Sequence, residues 1–297
     1  MEKFDKILVA LDRSQLDASL LRYARKLAGW LQAEKVYLVH IIPNLNLPKN
    51  AEHEFKKLFA PEMPLDERVE AEIESMANPL FDDLPGTEVA VEVIEGKPYQ
   101  KLMHWLEVKG IDLLVVGKKQ ESKGSGITSR RLANRANCSV LFVPEGVSLS
   151  PNELIVPIDF SEDSALALKG ALDLKPYIKD SHIKAVHITD QLAAGYYLNQ
   201  KEYASFNRFL AEAAQESFDE FIQRNQFNEH LFERVTISNE AGSIADQISK
   251  FAEENAPSLV LIGAQGRSAV ERFFFGSVTE KVVTQGDLKH PVLVVRP

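Results

Sequence analysis

Cysteine is nearly absent from this 297-residue chain: Cys138 stands alone. An internal disulfide framework is therefore excluded, and the count fits a reducing compartment. Lying just ahead of an apolar strand-like run, Cys138 reads as a buried structural thiol. Positive charge is also short, with 34 Lys plus Arg against 43 Asp plus Glu and a formal net charge of -9. Such a surface repels a polyanionic backbone, so no general nucleic-acid partner is expected. Long apolar runs are missing too. The five apolar residues at 7–11, preceded by Glu2, Lys3, Asp5 and Lys6, are too few for a signal-peptide core, and no later run approaches a membrane span. The expectation is a soluble, cytoplasmic protein with no membrane partner.

Familiar catalytic patterns are lacking as well. There is no Gly-x-Ser-x-Gly elbow, no helical His-Glu-x-x-His and no Walker A loop. The seven histidines show no metal-ligand spacing; His182 and His187, five apart, point to opposite faces of a strand. No metal site is expected from them. His40 and His187 read instead as hydrogen-bonded histidines packing equivalent strand ends.

What the chain does have is an internal repeat. Asp12 and Asp159 are 147 residues apart, and the same offset relates Ser14 to Ser161, Leu21 to Leu168, Ala24 to Ala171, His40 to His187 and Ile41 to Ile188. Gly96 and Gly117 match Gly242 and Gly263 at 146, and the closing runs 140–143 and 292–295 match at 152. With 45% hydrophobic residues, the chain has material for two cores of ordinary domain size. A short linker with Pro144, Gly146 and Pro151 separates them, giving domains 1–148 and 149–297.

Within each copy, short Val/Ile/Leu runs alternate with segments of helical period, in the order βαβαβαβαβ. That order argues an α/β fold: two tandem doubly wound domains, each a parallel five-stranded sheet with helices on both faces. Strands are expected near 7–11, 36–42, 89–93, 113–116 and 140–143, and again near 154–158, 183–188, 233–237, 259–262 and 292–295.

The fourth strand of copy two runs into Gly263-Ala264-Gln265-Gly266, then nine residues, then Gly276-Ser277. Glycines leave backbone amides open to an anion. Gly276-Ser277 opens a segment of helical period (Val278, Val282, Val283), and a helix N-terminus favours phosphate. The two glycine sites could hold one polyphosphate, although an ordinary strand-to-helix turn would carry similar residues. Asp159 and Ser161 follow the first strand at the same end of the sheet, where open parallel sheets bind ligands. Asp159 reads either as a helix cap alone or as a cap that also meets ribose hydroxyls or magnesium.

These residues resemble the universal stress protein family in its tandem two-domain form. Residues 156–162 (Val-Pro-Ile-Asp-Phe-Ser-Glu) look like that family's opening strand and turn, and residues 263–279 are similar to its nucleotide-binding signature. The resemblance implies strand order 3-2-1-4-5 and ATP, or a related adenine nucleotide with magnesium, in copy two. It places Asp159 and Ile188 beside the adenosine and Gly263 and Gly266 beside the ribose and phosphates. Gly276, Ser277, Val278 and Thr279 fall on the phosphates, with Arg267 in the loop between. It also implies that fifth strands pair, within one chain as a pseudo-dimer or between chains as a homodimer.

Copy one departs from this pattern: Gln120 replaces the second glycine, and matching Gly126 to Gly276 leaves the loop four residues short. Its three lysines read as a solvated basic loop. The expected function is an ATP-binding regulatory protein of the stress response, with an unknown protein partner. Slow ATP hydrolysis or self-phosphorylation at Ser277 or Thr279 is one alternative, and a nucleotide-free scaffold is another. No residue in the loop offers a base to orient water, so no dedicated catalytic residue is assigned.

Overall fold

The computed structural model describes residues 4–43, 64–118, 131–132, 134–147, 153–178, 180–190, 200–239, 242–255, 259–266, 275–284 and 289–297. The chain divides into two compact units, Glu2–Gly146 and Val147–Pro297.

In the first unit the elements run β1 (Lys6–Leu11), α1 (Asp17–Leu31), β2 (Lys35–Pro43), α2 (Leu65–Phe81), β3 (Glu88–Gly96), α3 (Pro98–Lys109), β4 (Leu113–Lys118) and β5 (Ser139–Pro144). The strands are ordered β3-β2-β1-β4-β5, every pairing parallel. In the second unit they run β6 (Glu153–Pro157), α4 (Glu162–Leu174), β7 (His182–Asp190), α5 (Gln200–Asn225), β8 (Glu233–Asn239), α6 (Ile244–Asn255), β9 (Leu259–Gly263), α7 (Ser277–Thr284) and β10 (Val292–Val295). Here the order is β8-β7-β6-β9-β10, the same 3-2-1-4-5 topology, again with parallel pairings.

Central strands covered on both faces need no polar alternation. Ile7, Leu8 and Val9 of β1 and Leu113, Leu114 and Val115 of β4 accordingly have no exposed surface. The edge strand β3, by contrast, keeps its residues half-exposed. Helix α1 buries Leu20, Leu21, Ala24, Leu27 and Ala28, the stripe its 3.6-residue period sets. Cys138 is buried, as its sequence position implied. None of the described helices is long and apolar enough to cross a membrane.

Strand order reverses between β1 and β4, and between β6 and β9, which opens a crevice at the carboxyl ends of those strands. Each copy reaches it through a residue in the left-handed region: Arg13 at φ 59° and Phe160 at φ 65°, related by the repeat. A bulky side chain adopts that conformation only when its surroundings over-determine it. For Phe160 they do. Its ring packs against His187, Phe218 and Phe221 at centroid distances of 4.4, 5.1 and 5.8 Å, and its carbonyl accepts from Arg224 Nη2 at 2.9 Å.

The two strand-end histidines play matching parts. His40 Nδ1 lies 2.9 Å from the Leu11 carbonyl, and His187 Nδ1 2.8 Å from that of Ile158. A carbonyl only accepts, so the ring nitrogen donates. Burial lowers the His40 pKa from its ordinary value, with Arg13 acting in the same sense and the Leu11 bond and Asp12 opposing. The unfolded ring therefore takes a proton more readily than the folded one. Stability contributed by the neutral ring is present above about pH 6.5 and is lost as the pH falls through the folded pKa. Trp30 and Trp105 both lie in the first unit, so tryptophan fluorescence follows its unfolding. In urea melts at about pH 7.5 and about pH 5.5, His40→Gln is expected to lose less stability on acidification than the wild type.

Candidate functional site

In the second unit three segments meet at the crevice. The first is the turn between β6 and α4. Ser161 is the helix N-cap, its Oγ accepting the Ser164 N–H at 3.1 Å. Asp159 shapes the turn leading into it: Oδ1 accepts from the Ser161 N–H at 3.0 Å and from the Ser161 hydroxyl at 2.5 Å. The cap and the carboxylate are thus different residues. The other oxygen, Oδ2, is directed at the glycine loop, since a Cβ on Gly266 would lie 2.6 Å from it.

The second segment is the loop after β9. Gly263 lies so close to α4 that a Cβ there would meet the Asp163 backbone carbon at 2.7 Å and its carbonyl oxygen at 2.9 Å. Beyond it, the Ala264 N–H donates to Val295 O at 3.0 Å, and the Gln265 N–H donates to Asp163 Oδ2 at 2.8 Å. The third segment, the start of α7, folds back onto this loop. The Gly276 N–H donates to Ala264 O at 2.8 Å, and the Gly276 carbonyl receives the Glu280 N–H at 2.8 Å, opening the helix. A Cβ on Gly276 would sit 3.5 Å from Gly266 N and 3.6 Å from Gln265 Cα. Two glycines ten residues apart in sequence are therefore neighbours in space.

Ile188 is buried near the carboxyl end of β7. It lies two residues past Val186, which pairs with Pro157 at the end of β6. Asp159, Gly263, Gly266 and Gly276 are thus drawn together, with Ile188 at the same end of the sheet. Arg267 lies outside the described residues, as do Phe273 and Phe274. Phe275 is buried beneath the guanidinium of Arg296, whose Cζ is 5.0 Å from the ring centroid.

The three residues after Gly276 have different settings. Ser277 is exposed, Val278 is half-buried and Thr279 is buried. Thr279 donates its hydroxyl to the Gly263 carbonyl at 2.8 Å, so it ties α7 to the end of β9. Thr279→Val strands a buried acceptor and should cost the second unit about 1–3 kcal/mol, whereas Ser277→Ala should move stability by less than about 0.5 kcal/mol. Amide exchange of peptides covering β9 and α7 reads both changes, and Thr279→Ser is expected to restore protection.

Two charged residues of this site escaped the sequence reading. Asp163 is held by burial above the usual carboxylate range; the Gln265 N–H and then Arg296 oppose that shift, while Asp159 and Glu162 add to it. Arg296 follows the last strand. Asp163 sits in an acidic run at the start of α4, where any carboxylate suits the helix dipole, so nothing local singles it out. Among the described residues there is no group of three or more metal-ligating side chains.

In the first unit, Gly117 occupies the place of Gly263, and a Cβ there would lie 2.3 Å from Leu16 Cδ2. Leu16 is the repeat equivalent of Asp163. The turn is held differently: Asp17, 2% exposed, accepts the Asp12 and Arg13 N–H groups at 3.2 and 2.8 Å. Gln120, the lysines at 119 and 123 and Gly124 to Gly126 lie outside the described residues.

The family model described as the universal stress protein family matches twice, over residues 3–144 and 152–296. A universal stress protein of Methanocaldococcus jannaschii is 25% identical over 144 residues, covering 48% of this chain and 81% of that protein. Among solved structures, a universal stress protein from Archaeoglobus fulgidus superposes with a TM-score of 0.60 at 16% identity, covering 99% of this chain and 97% of that one. A Pseudomonas aeruginosa protein of unknown function superposes with a TM-score of 0.61 at 16% identity, covering 99% and 93%. At those identities the superpositions speak to the fold alone, but the family model spans both copies, and the chain belongs to the universal stress protein family as a tandem of two such domains.

Proposed function

We propose that this protein is an adenine-nucleotide-binding regulatory protein of the stress response, with the nucleotide held in its second copy. The observation that carries this reading is the meeting of Gly266 with Gly276 opposite Asp159 Oδ2, a cradle that any Cβ at position 266 would fill. Polyphosphate oxygens need backbone donors at close range, and two adjacent glycines beside a helix N-terminus permit that approach. Asp159 then takes the ribose hydroxyls, Ile188 packs against the adenine, and the start of α7 at Gly276, Ser277 and Val278 receives the phosphates. Thr279 acts behind this surface through Gly263, while Arg267 supplies a cation from the loop.

The Asp159 carboxylate facing the loop disfavours a bare triphosphate, so ATP binds with magnesium, which offsets that repulsion. The net charge of -9 disfavours nucleic acid as a competing partner. The lone, buried cysteine supports a cytoplasmic setting.

Equilibrium dialysis of nucleotide-free protein against ATP, ADP, AMP and GTP, with and without magnesium, tests the reading. Saturable retention of adenine nucleotides over GTP, with ATP favoured when magnesium is present, is the expected outcome. Equal retention of GTP would remove the adenine assignment.

A further inference from the structure

We propose that Asp163 is the positioning residue that holds the glycine loop of the second copy in its receptive shape, and that Leu16 removes this hold from the first. The proposal rests on the nucleotide reading above and assigns that site a control point in α4.

The geometry comes from one long-range bond. Asp163 Oδ2 accepts the Gln265 N–H at 2.8 Å, joining residues 102 apart in sequence. Gln265 lies between the two loop glycines, so fixing its amide fixes the direction in which the chain leaves Gly263 and enters Gly266. The same α4 residue meets the loop from below, because the Asp163 backbone and Cβ occupy the space a side chain on Gly263 would need. One residue therefore sets both the depth and the orientation of the loop.

The repeat supplies an internal comparison. Leu16 occupies the Asp163 position and lies against Gly117, through its side chain where Asp163 meets Gly263 with its backbone and Cβ. The close approach is kept and the acceptor is lost. Leu16 is buried at 4% exposure, so an apolar side chain fills the place from which a carboxylate would reach the following loop. The cation differs as well. Arg296, which opposes the upward shift of the Asp163 pKa, follows β10, and its repeat equivalent at the end of β5 is Pro144. Both the acceptor and its supporting charge belong to the copy with the intact glycine signature.

The charged groups acting on Asp163 are Arg296, Asp159 and Glu162. Asp159 faces Gly266 while Asp163 faces Gln265, so the two carboxylates bracket the loop with separate tasks. Asp159 meets the ligand. Asp163 acts on the ligand only through the backbone it holds.

The test uses the full chain as wild type, Asp163→Asn, Asp163→Ala and Asp163→Leu. Asparagine keeps an acceptor oxygen, alanine deletes it without adding bulk, and leucine copies the first unit. Two quantities are read: hydrogen exchange of the Gln265 amide in nucleotide-free protein, and the Kd for ATP with magnesium. Alanine and leucine are expected to speed Gln265 exchange and to weaken ATP binding by about tenfold or more each, while asparagine stays within about threefold of wild type on both readings. If alanine and leucine bind ATP as tightly as wild type, or asparagine fails as badly as alanine, the positioning role is overturned while the nucleotide site stands. A wild type that binds no adenine nucleotide sinks the nucleotide reading and this role with it.

Discussion

Gly266→Leu is expected to weaken adenine-nucleotide binding by about 100-fold or more, equivalent to about 2.7 kcal/mol, while leaving the second unit folded. Gly266 does not need glycine for its backbone, because its φ lies outside the left-handed region. A side chain there is strained only by what it meets. It meets Asp159 Oδ2 at 2.6 Å, and Asp159 cannot simply swing aside, since Oδ1 is engaged by the Ser161 amide and hydroxyl. Leucine would therefore fill the cradle and displace the carboxylate together. Position 266 is half-buried in a loop and not in the core, so the stability change should stay within about 1 kcal/mol. Titration with ATP and magnesium, alongside circular dichroism of the same sample, separates lost binding from lost structure.

The second large effect is a contrast between the copies. Gly263→Ala is expected to destabilise its unit by about 1–3 kcal/mol, and Gly117→Ala by clearly less. Both glycines pack against the start of the first helix of their unit, and a Cβ clashes in both. What differs is the obstacle. At Gly263 the nearest atoms are the Asp163 backbone carbon at 2.7 Å, its Cβ at 2.8 Å and its carbonyl oxygen at 2.9 Å, which move only if α4 moves. At Gly117 the nearest is Leu16 Cδ2 at 2.3 Å, a terminal methyl that a rotamer change carries away. Moving α4 would also break the Asp163 bond to Gln265, so Gly263→Ala should lose nucleotide affinity along with stability. Tryptophan fluorescence in urea reads Gly117→Ala, because both tryptophans lie in the first unit. Amide exchange across β9 reads Gly263→Ala. Equal costs at the two positions would mean that α4 gives as easily as a leucine methyl.

Much of this architecture is legible in the sequence because it repeats. The offset of 147 residues relates His40 to His187, and the structure gives both the same bond to the end of the neighbouring strand. Apolar runs mark the central strands, since sheets covered on both faces impose a simple rule on composition. The glycine signature is legible for a similar reason: close approach of backbone to backbone, as between Gly263 and Asp163, leaves little choice of residue.

What the sequence hides depends on tertiary register. Asp163 is one acid in a run of acids until the fold sets it against an amide 102 residues away. Thr279 follows Gly-Ser and so resembles a phosphate-facing hydroxyl, yet α7 turns it inward to the Gly263 carbonyl. Phe160 carries no local sign of its left-handed backbone, because the aromatic packing and the Arg224 bond that hold it come from β7 and α5. The division of labour between Ser161 as cap and Asp159 as turn former could be resolved only by knowing which oxygen meets which amide.

The central claim is that one copy carries the nucleotide. Isothermal titration of nucleotide-free protein with ATP and magnesium, comparing wild type with Gly266→Leu, tests it most directly. The account predicts saturable binding at one site per chain in the wild type and none in the variant. Two sites per chain, or wild-type binding that survives in Gly266→Leu, would contradict it.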